Sequence, residues 1–365
     1  MNNYNQLPYY IQLSAKLLLL FLLGTIIYLG HDILVPVYFS ILLSIVLLPV
    51  TNLLERIGLP KAAANMIAVT IAIFIIVLVI YFLSSQISSF IGDLPSIKRN
   101  LSEHYVALQS WLKQKLNISF KQQTAIIQKA TIQVKNSGGE YIGQTFSSLT
   151  DAFITIVLTS IYTFLFLYYR HHIKKFLLLV FNKEDEPIVL DVLTESKNMV
   201  RNYMLGLLAE MAIVAVIAST MFLIIGIKYA IFLGVFVAIL NIIPYIGIFT
   251  AGLFTVLVTL TTSLLSSDIA WIVACITAIH LVDSNFIMPR IVGSKVKINT
   301  LATILGVVIG GTLIGLSGIF LALPTIAFLK IIFDRVDSLK PWGMLLGDEI
   351  SGPKKIKKAK EKAKE

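Results

Sequence analysis

Long stretches without charge dominate this sequence and restrict its fold more than any other feature. Six or more of them run for about 20 residues, the length that an α-helix needs to cross the hydrocarbon core of a bilayer. Two of the later stretches are interrupted near their centres by Pro and Gly, at 241–247 and at 310–315. An unpaired backbone amide is costly in hydrocarbon, so such a break must be shielded by protein or line a wet cavity. Broken membrane helices of this kind are typical of solute sites.

The composition agrees with a membrane protein. Hydrophobic residues make up 57% of the chain and charged residues 14%, whereas a soluble globular protein carries about a quarter charged residues. The predicted fold class is therefore all-α. We expect a polytopic helical membrane protein with about eight transmembrane segments, including two broken or re-entrant hairpins, and with amphipathic helices in an external insertion.

The charge and the cysteine content exclude several function classes. The net charge is +10, but the C-terminal tail at 354–365 carries seven Lys and two Glu and so supplies half of the excess. The basic residues therefore predict no nucleic-acid groove. The single cysteine, Cys275, excludes an intrachain disulfide. Neither a Cys/His metal spacing nor a phosphate-binding glycine loop is present, so we expect no metal, no cofactor and no enzymatic activity.

The N-terminal half contains four predicted spans and one long polar insertion. The insertion, at 85–150, has leucines and other apolar residues at three- and four-residue steps, which predicts an amphipathic helix. The basic cluster at 170–175 follows the fourth span and favours a cytoplasmic position by the positive-inside rule. Counting back places the N-terminus in the cytoplasm and the insertion outside. The four predicted spans are 15–30, 33–50, 63–84 and 152–169.

The C-terminal half can be threaded through a membrane in two ways. Four simple spans would leave the basic loop at 290–297 outside, against the charge rule. Alternatively, 230–265 and 300–335 form re-entrant hairpins that dip in from opposite sides, and the same loop then lies inside. This second topology, which we favour, gives two inverted repeats of one span plus one hairpin, an architecture of secondary transporters. It predicts that the two hairpin tips meet in a polar pocket near the midplane, and that both termini are cytoplasmic.

This topology implies five segments. They are the N-terminal spans (1–84), the external insertion (85–150), the fourth span with a cytoplasmic amphipathic helix (151–204), the transport region with both hairpins (205–340) and the basic tail (341–365).

Ionisable and hydrogen-bonding side chains are rare inside the predicted spans, so each is a candidate for function. His280 and Asp283 are three residues apart on a helix and could pair. Two structural alternatives stay open: Asp283 and Asn285 could lock their helix to a neighbour, and Glu210 could snorkel to the interface. The predicted solute or ion pathway comprises Glu210, Asn241, Pro244, Tyr245, Gly247, Asp283, Asn285, Pro289, Gly310, Gly311 and Gly315.

Several motifs of the C-terminal half resemble those of the autoinducer-2 exporter family of predicted permeases. They are Asn241 to Gly247 with Ala251-Gly252, Asp283-Ser284-Asn285 to Pro289, Val292-Gly293, and Gly310-Gly311 with Gly315, Gly318 and Pro324. The resemblance implies a homo-oligomeric, pentameric transporter of the bacterial plasma membrane. Family members are associated with export of autoinducer-2, and others with extrusion of sodium or lithium in exchange for protons. The chain departs from the pattern at His280-Leu281-Val282, where a polar stretch often precedes the Asp and Asn.

The sequence thus favours a secondary transporter, a permease or exporter of a small polar solute, with autoinducer-2-like compounds as one substrate class. The expected partners are that solute or ion, the lipid bilayer and further copies of the chain. One alternative is a monovalent cation/proton antiporter that uses Asp283 and Glu210, because a desolvated carboxylate can exchange a proton for sodium. The other is a membrane scaffold or channel without saturable transport.

Overall fold

The structure is a computed structural model that describes residues 8–93, 153–243, 246–262, 266–293 and 298–347. Within these ranges the chain is helical and contains no strand. The predicted external insertion beyond Asp93 and the tail beyond Gly347 lie outside the described residues, as do Pro244 and Tyr245.

Eleven α-helices follow one another in the described residues, and the all-α prediction is confirmed. They are α1 (Tyr9–Leu29), α2 (His31–Arg56), α3 (Lys61–Gly92), α4 (Phe153–Tyr168), α5 (Arg170–Val180), α6 (Glu186–Ile225), α7 (Ala230–Leu240), α8 (Ile246–Thr262), α9 (Ser266–Val282), α10 (Thr300–Arg335) and α11 (Lys340–Leu346). Two π-helical turns, Asp283–Ile287 and Pro289–Gly293, continue α9.

Six of these helical segments are long and apolar enough to cross a membrane, and a seventh span results if α4 and α5 are counted together. The first three predicted spans correspond to α1, α2 and α3, and the fourth to α4. Many large apolar side chains of these helices are exposed, as in α1, where Leu20 and Phe21 are 67% and 71% exposed. In water such surfaces would aggregate, so their natural environment is lipid. The chain is a multi-pass helical membrane protein.

The chain divides into two compact units that are discontinuous in sequence. One contains 1–38, 169–205 and 292–365, and the other contains 39–168 and 206–291. Helices α2 and α6 each contribute to both units. The second unit holds an apolar core in which α6, α7, α8 and α9 bury side chains such as Phe222, Leu233 and Ile272.

The first predicted hairpin is formed by α7 and α8 in the second unit. The rings of Phe236 of α7 and Phe254 of α8 pack at a tilt of 43°, with their centroids 4.6 Å apart. At the turn, a Cβ added to Gly247 would overlap the carbonyl oxygen of Leu240, so only glycine permits this approach of the two arms. Because α7 has 11 residues and is about 16 Å long, it is too short to cross about 30 Å of hydrocarbon.

The second predicted hairpin is formed by α10 alone, in the first unit. Ile314 and Gly315 depart from helical geometry, and Gly315 has φ of 63° and ψ of −144°, which favours glycine. The two arms then run back along each other, since Gly310 lies against Gly318, and Gly311 against Ile319. The start of α10 also contacts the segment that follows its end, because Nδ2 of Asn299 donates to the carbonyl oxygens of Leu345 and Gly347. A hairpin that turns near 310–318 is therefore present, as the sequence predicts.

The C-terminal end of α3 is tied to the start of the first hairpin by a small polar cluster. Lys228 and the hydroxyl of Tyr229 both donate to Oδ2 of Asp93, and Phe90 packs edge-on against the Tyr229 ring. Tyr229 is the residue before α7 and has a left-handed φ of 67°, which is uncommon for a tyrosine. The cluster thus holds a strained residue at the point where the hairpin begins.

This cluster predicts a dependence of stability on pH. The hydrogen bond from Lys228, together with that from Tyr229, lowers the pKa of the Asp93 carboxyl. A lowered folded-state pKa means that the stabilisation is complete above about pH 4 and is lost as the pH falls through the lowered value. We expect the Tm difference between wild type and Asp93→Asn in detergent to narrow as the pH is lowered from neutrality into that range. The Tm difference between wild type and Lys228→Gln should narrow in the same way. A Tm difference that stays constant with pH would contradict the prediction.

Candidate functional site

Three polar side chains from three different helices meet in the second unit. Glu210 belongs to α6, Asn241 ends α7, and Asp283 begins the first π-helical turn after α9. The amide Nδ2 of Asn241 donates to Oδ2 of Asp283 at 2.9 Å and lies 3.4 Å from Oε1 of Glu210. We call these three residues the carboxylate triad.

The two carboxyl residues of the triad are buried, and Asn241 is partly buried. Glu210 is 6% exposed and Asp283 4% exposed. Two carboxyl groups that share one amide in a water-poor interior are costly to place there, and such groups in membrane segments usually mark a solute or ion path. The Glu210 carboxylate is held inside this unit, against the Asn241 amide.

Local packing explains how the three residues come together. Gly206, one turn before Glu210, lies so close to the second π-helical turn that an added Cβ would be 2.9 Å from the carbonyl oxygen of Ile291. Gly234 of α7 similarly packs directly on Ser219 of α6. These small residues allow α6, α7 and the π-helical segment to approach closely, which is the usual way in which membrane helices associate.

One oxygen of the triad has no hydrogen-bond partner. Oδ1 of Asp283 is buried and unpaired among the described residues. Buried carboxylate oxygens normally find a donor, so an orphan acceptor of this kind calls for an explanation such as a proton, a cation or a solute hydroxyl. The part of the chain that the structure describes contains no group of three or more His, Cys, Asp or Glu side chains that could hold a metal ion.

The triad lies beside the break of the first hairpin. Asn241 follows the last residue of α7, about 16 Å along that helix from its start. Gly247 is buried on the other side of the turn, and its amide donates to the carbonyl of Ile243 at 3.0 Å. Three of the predicted pathway residues thus form one contact group, with Gly247 shaping the turn next to it.

Other predicted residues have different surroundings. Asn285 is exposed, and its side-chain amide donates to the carbonyl of Leu281 in its own helix at 2.8 Å. Pro289 is exposed at the start of the second π-helical turn. Gly310, Gly311 and Gly315 build the tip of the second hairpin in the other unit.

The predicted pairing of His280 with Asp283 does not form. The ring nitrogen Nδ1 of His280 is 3.3 Å from the hydroxyl of Ser284, while Asp283 bonds to Asn241. The α-helical spacing on which the pairing depends ends at Val282, where the first π-helical turn begins. Sequence reasoning did not find these π-helical turns, which are frequent at functional sites.

A multi-pass helical bundle with a helix hairpin too short to cross the bilayer and a buried polar group at its break defines a class of membrane transport proteins. A family model described as the AI-2E family transporter matches residues 17–338. The chain belongs to the AI-2E transporter family, and it is a membrane transporter.

Individual relatives are distant but cover most of the chain. The Bacillus subtilis protein named "Putative transport protein YrrI" is 23% identical over 310 residues, which are 82% of this chain and 85% of the relative. A Mycobacterium tuberculosis protein of the same description is 26% identical over 81% of each chain. The Escherichia coli protein named "AI-2 transport protein TqsA" is 23% identical over 318 residues, 87% of this chain and 90% of the relative.

Proposed function

We propose that the protein is a secondary transporter that moves a small polar solute across the bacterial plasma membrane through a path that includes the carboxylate triad. The observation that carries this proposal is the amide of Asn241, held between two buried carboxyl groups at the break of a short hairpin. A group that binds and then releases a polar solute needs hydrogen-bonding capacity inside the hydrocarbon, and the triad supplies it.

The proposed role of the triad is to replace water around the solute. Hydroxyl groups of a polyol-like solute could donate to Oδ1 of Asp283 and to the Glu210 carboxylate. The Asn241 amide already donates to both carboxylates, so it offers its carbonyl oxygen as an acceptor. The class of solute includes autoinducer-2-like compounds, for which the name of the Escherichia coli relative gives support. Export is the proposed direction.

The remaining pathway residues stay part of the proposal. Gly310, Gly311 and Gly315 form the break of the second hairpin, where non-helical backbone at Ile314 and Gly315 exposes groups that a helix would pair internally. Non-helical backbone at membrane depth is tolerated where it lines a wet cavity, which supports a role for this tip in transport.

A second function is favoured by the unpaired Oδ1 of Asp283. A buried carboxylate with a free oxygen and a second carboxyl group nearby can accept either a proton or a sodium ion. The protein would then be a monovalent cation/proton antiporter that exchanges the two at the same site.

A counterflow assay tests both functions. The purified full chain is reconstituted in proteoliposomes, which are preloaded with one of a panel of polyols, with autoinducer-2 or with sodium. Uptake of the same compound in labelled form is then followed. The proposed function predicts saturable, substrate-dependent counterflow of a polar solute. A sodium-driven pH change in the vesicle lumen without solute counterflow would favour the antiporter. Flux that does not saturate for any compound would contradict both proposed functions.

A further inference from the structure

The short helix α5 has a basic face and an apolar face, and both are accessible. Arg170, His171, Lys174 and Lys175 lie on one side, and Ile173, Phe176, Leu177 and Val180 recur at three- and four-residue steps on the other. No residue of α5 is buried. Phe176 is 59% exposed and Val180 58% exposed. An apolar face left open in this way requires a partner in the native environment.

The position of α5 in the chain limits what that partner can be. The helix begins two residues after Tyr168, the end of the apolar helix α4, and the backbone leaves helical geometry between them, with Tyr169 at φ −91° and ψ 11°. With 11 residues α5 is about 16 Å long and cannot cross a bilayer. The apolar sequence of α4 is followed at once by the basic residues of α5, the pattern that is typical of a chain leaving hydrocarbon at the level of the lipid headgroups.

The charge of α5 decides between the possible occupants. Residues 170–182 contain no Asp or Glu. In the described part of the chain, no carboxylate makes an ion pair with Lys174 or Lys175. The same face of a second copy would bring like charges together, whereas an anionic lipid surface offers opposite charge and an apolar layer at once.

We propose that α5 is a lipid-binding helix that lies on the membrane surface, inserts Phe176 and Val180 between acyl chains and binds anionic phospholipid headgroups through Lys174 and Lys175. This inference does not depend on the transported solute. The basic residues of α5 then anchor the chain at the point where α4 gives way to α6.

Quenching by labelled lipids tests the proposal on the full chain. With Cys275→Ser as background, Phe176→Cys carries an environment-sensitive dye, and the protein is placed in nanodiscs of mixed phosphatidylcholine and phosphatidylglycerol. A nitroxide is attached to the acyl chain of one lipid or the other. We expect stronger quenching by the phosphatidylglycerol probe, because each lysine near the surface favours an anionic lipid by roughly fivefold.

Two double variants with equal loss of charge provide the comparison. Lys174→Gln with Lys175→Gln should remove most of the preference for phosphatidylglycerol. The double variant Lys183→Gln with Lys197→Gln also removes two charges, but both residues lie outside α5. It should keep the preference for phosphatidylglycerol. Equal quenching by both lipids in the parent, no quenching by either, or equal loss in the two double variants would each overturn the proposal.

Discussion

Asp283→Asn is expected to reduce transport by roughly 10- to 100-fold while leaving the folded protein in the membrane. The substitution keeps the size of the side chain but removes its negative charge, so that the hydrogen bond from Asn241 to Oδ2 of residue 283 becomes a weaker, neutral one. A charge-assisted hydrogen bond from a solute to the Asp283 carboxylate would be worth about 1.5–3 kcal/mol, and its loss corresponds to this range of rates. Because the remaining carbonyl oxygen of the asparagine accepts from Asn241, its NH2 group takes the place of Oδ1, and a solute hydroxyl or a cation loses that acceptor.

Transport is measured as the initial counterflow rate. Folding is measured as the Tm and as the yield of protein that stays monodisperse in detergent. Asp32→Asn is the matched control, because it makes the same chemical change at a carboxylate that is 87% exposed. We expect the control to transport as wild type does. If Asp283→Asn transports at the wild-type rate, the carboxylate triad is a structural contact and the proposed path is wrong.

Gly310→Ala is expected to destabilise the second hairpin strongly and to abolish transport with it. A Cβ on Gly310 would overlap the backbone carbonyl of Gly318, and backbone cannot swing away as a flexible side chain can. Overpacking of this kind costs about 1–3 kcal/mol, and more where nothing yields. The arms would have to separate, which would also disturb the turn at Ile314 and Gly315.

Gly24→Ala provides a control with the opposite expected sign. Gly24 lies within α1 and has no other atom within 4 Å of an added Cβ. Replacing a helical glycine with alanine at an open position stabilises a helix by about 0.5–1 kcal/mol in water. Thermal unfolding in detergent should therefore show a lower Tm for Gly310→Ala and an unchanged or higher Tm for Gly24→Ala. Equal Tm values would argue against the tight hairpin.

The hairpins could be predicted from the sequence because their signals are local. Pro and Gly interrupt the apolar runs at 241–247 and 310–315, and the structure turns the chain at both places. Glycine spacing also carried information, since Gly310 and Gly318 are eight residues apart and meet across the turn. Short-range patterns of this kind depend only on backbone geometry, which the residue type restricts directly.

The carboxylate triad could be predicted only in part. Its three members were recognised singly as polar residues in apolar surroundings, but their sequence separations give no register between α6, α7 and α9. The orientation of Glu210 depended on Gly206 and Gly234, whose close contacts with Ile291 and Ser219 exist only in three dimensions. The π-helical turn at Asp283 also changed which neighbours that side chain reaches, and no periodicity marks such a turn in advance.

The shortness of α7 has an electrical consequence. Its 11 residues separate Lys228 from Asn241 by about 16 Å, which is about half the thickness of the hydrocarbon of a bilayer. In the proposed path, a charged species that leaves the triad toward Lys228 crosses only about half of the voltage drop, or about 1 kcal/mol per 100 mV for each elementary charge. The resting potential of a cell would act separately on the two steps, from one side of the membrane to the triad and from the triad to the other side. It could drive charge movement in one step without driving it in the other.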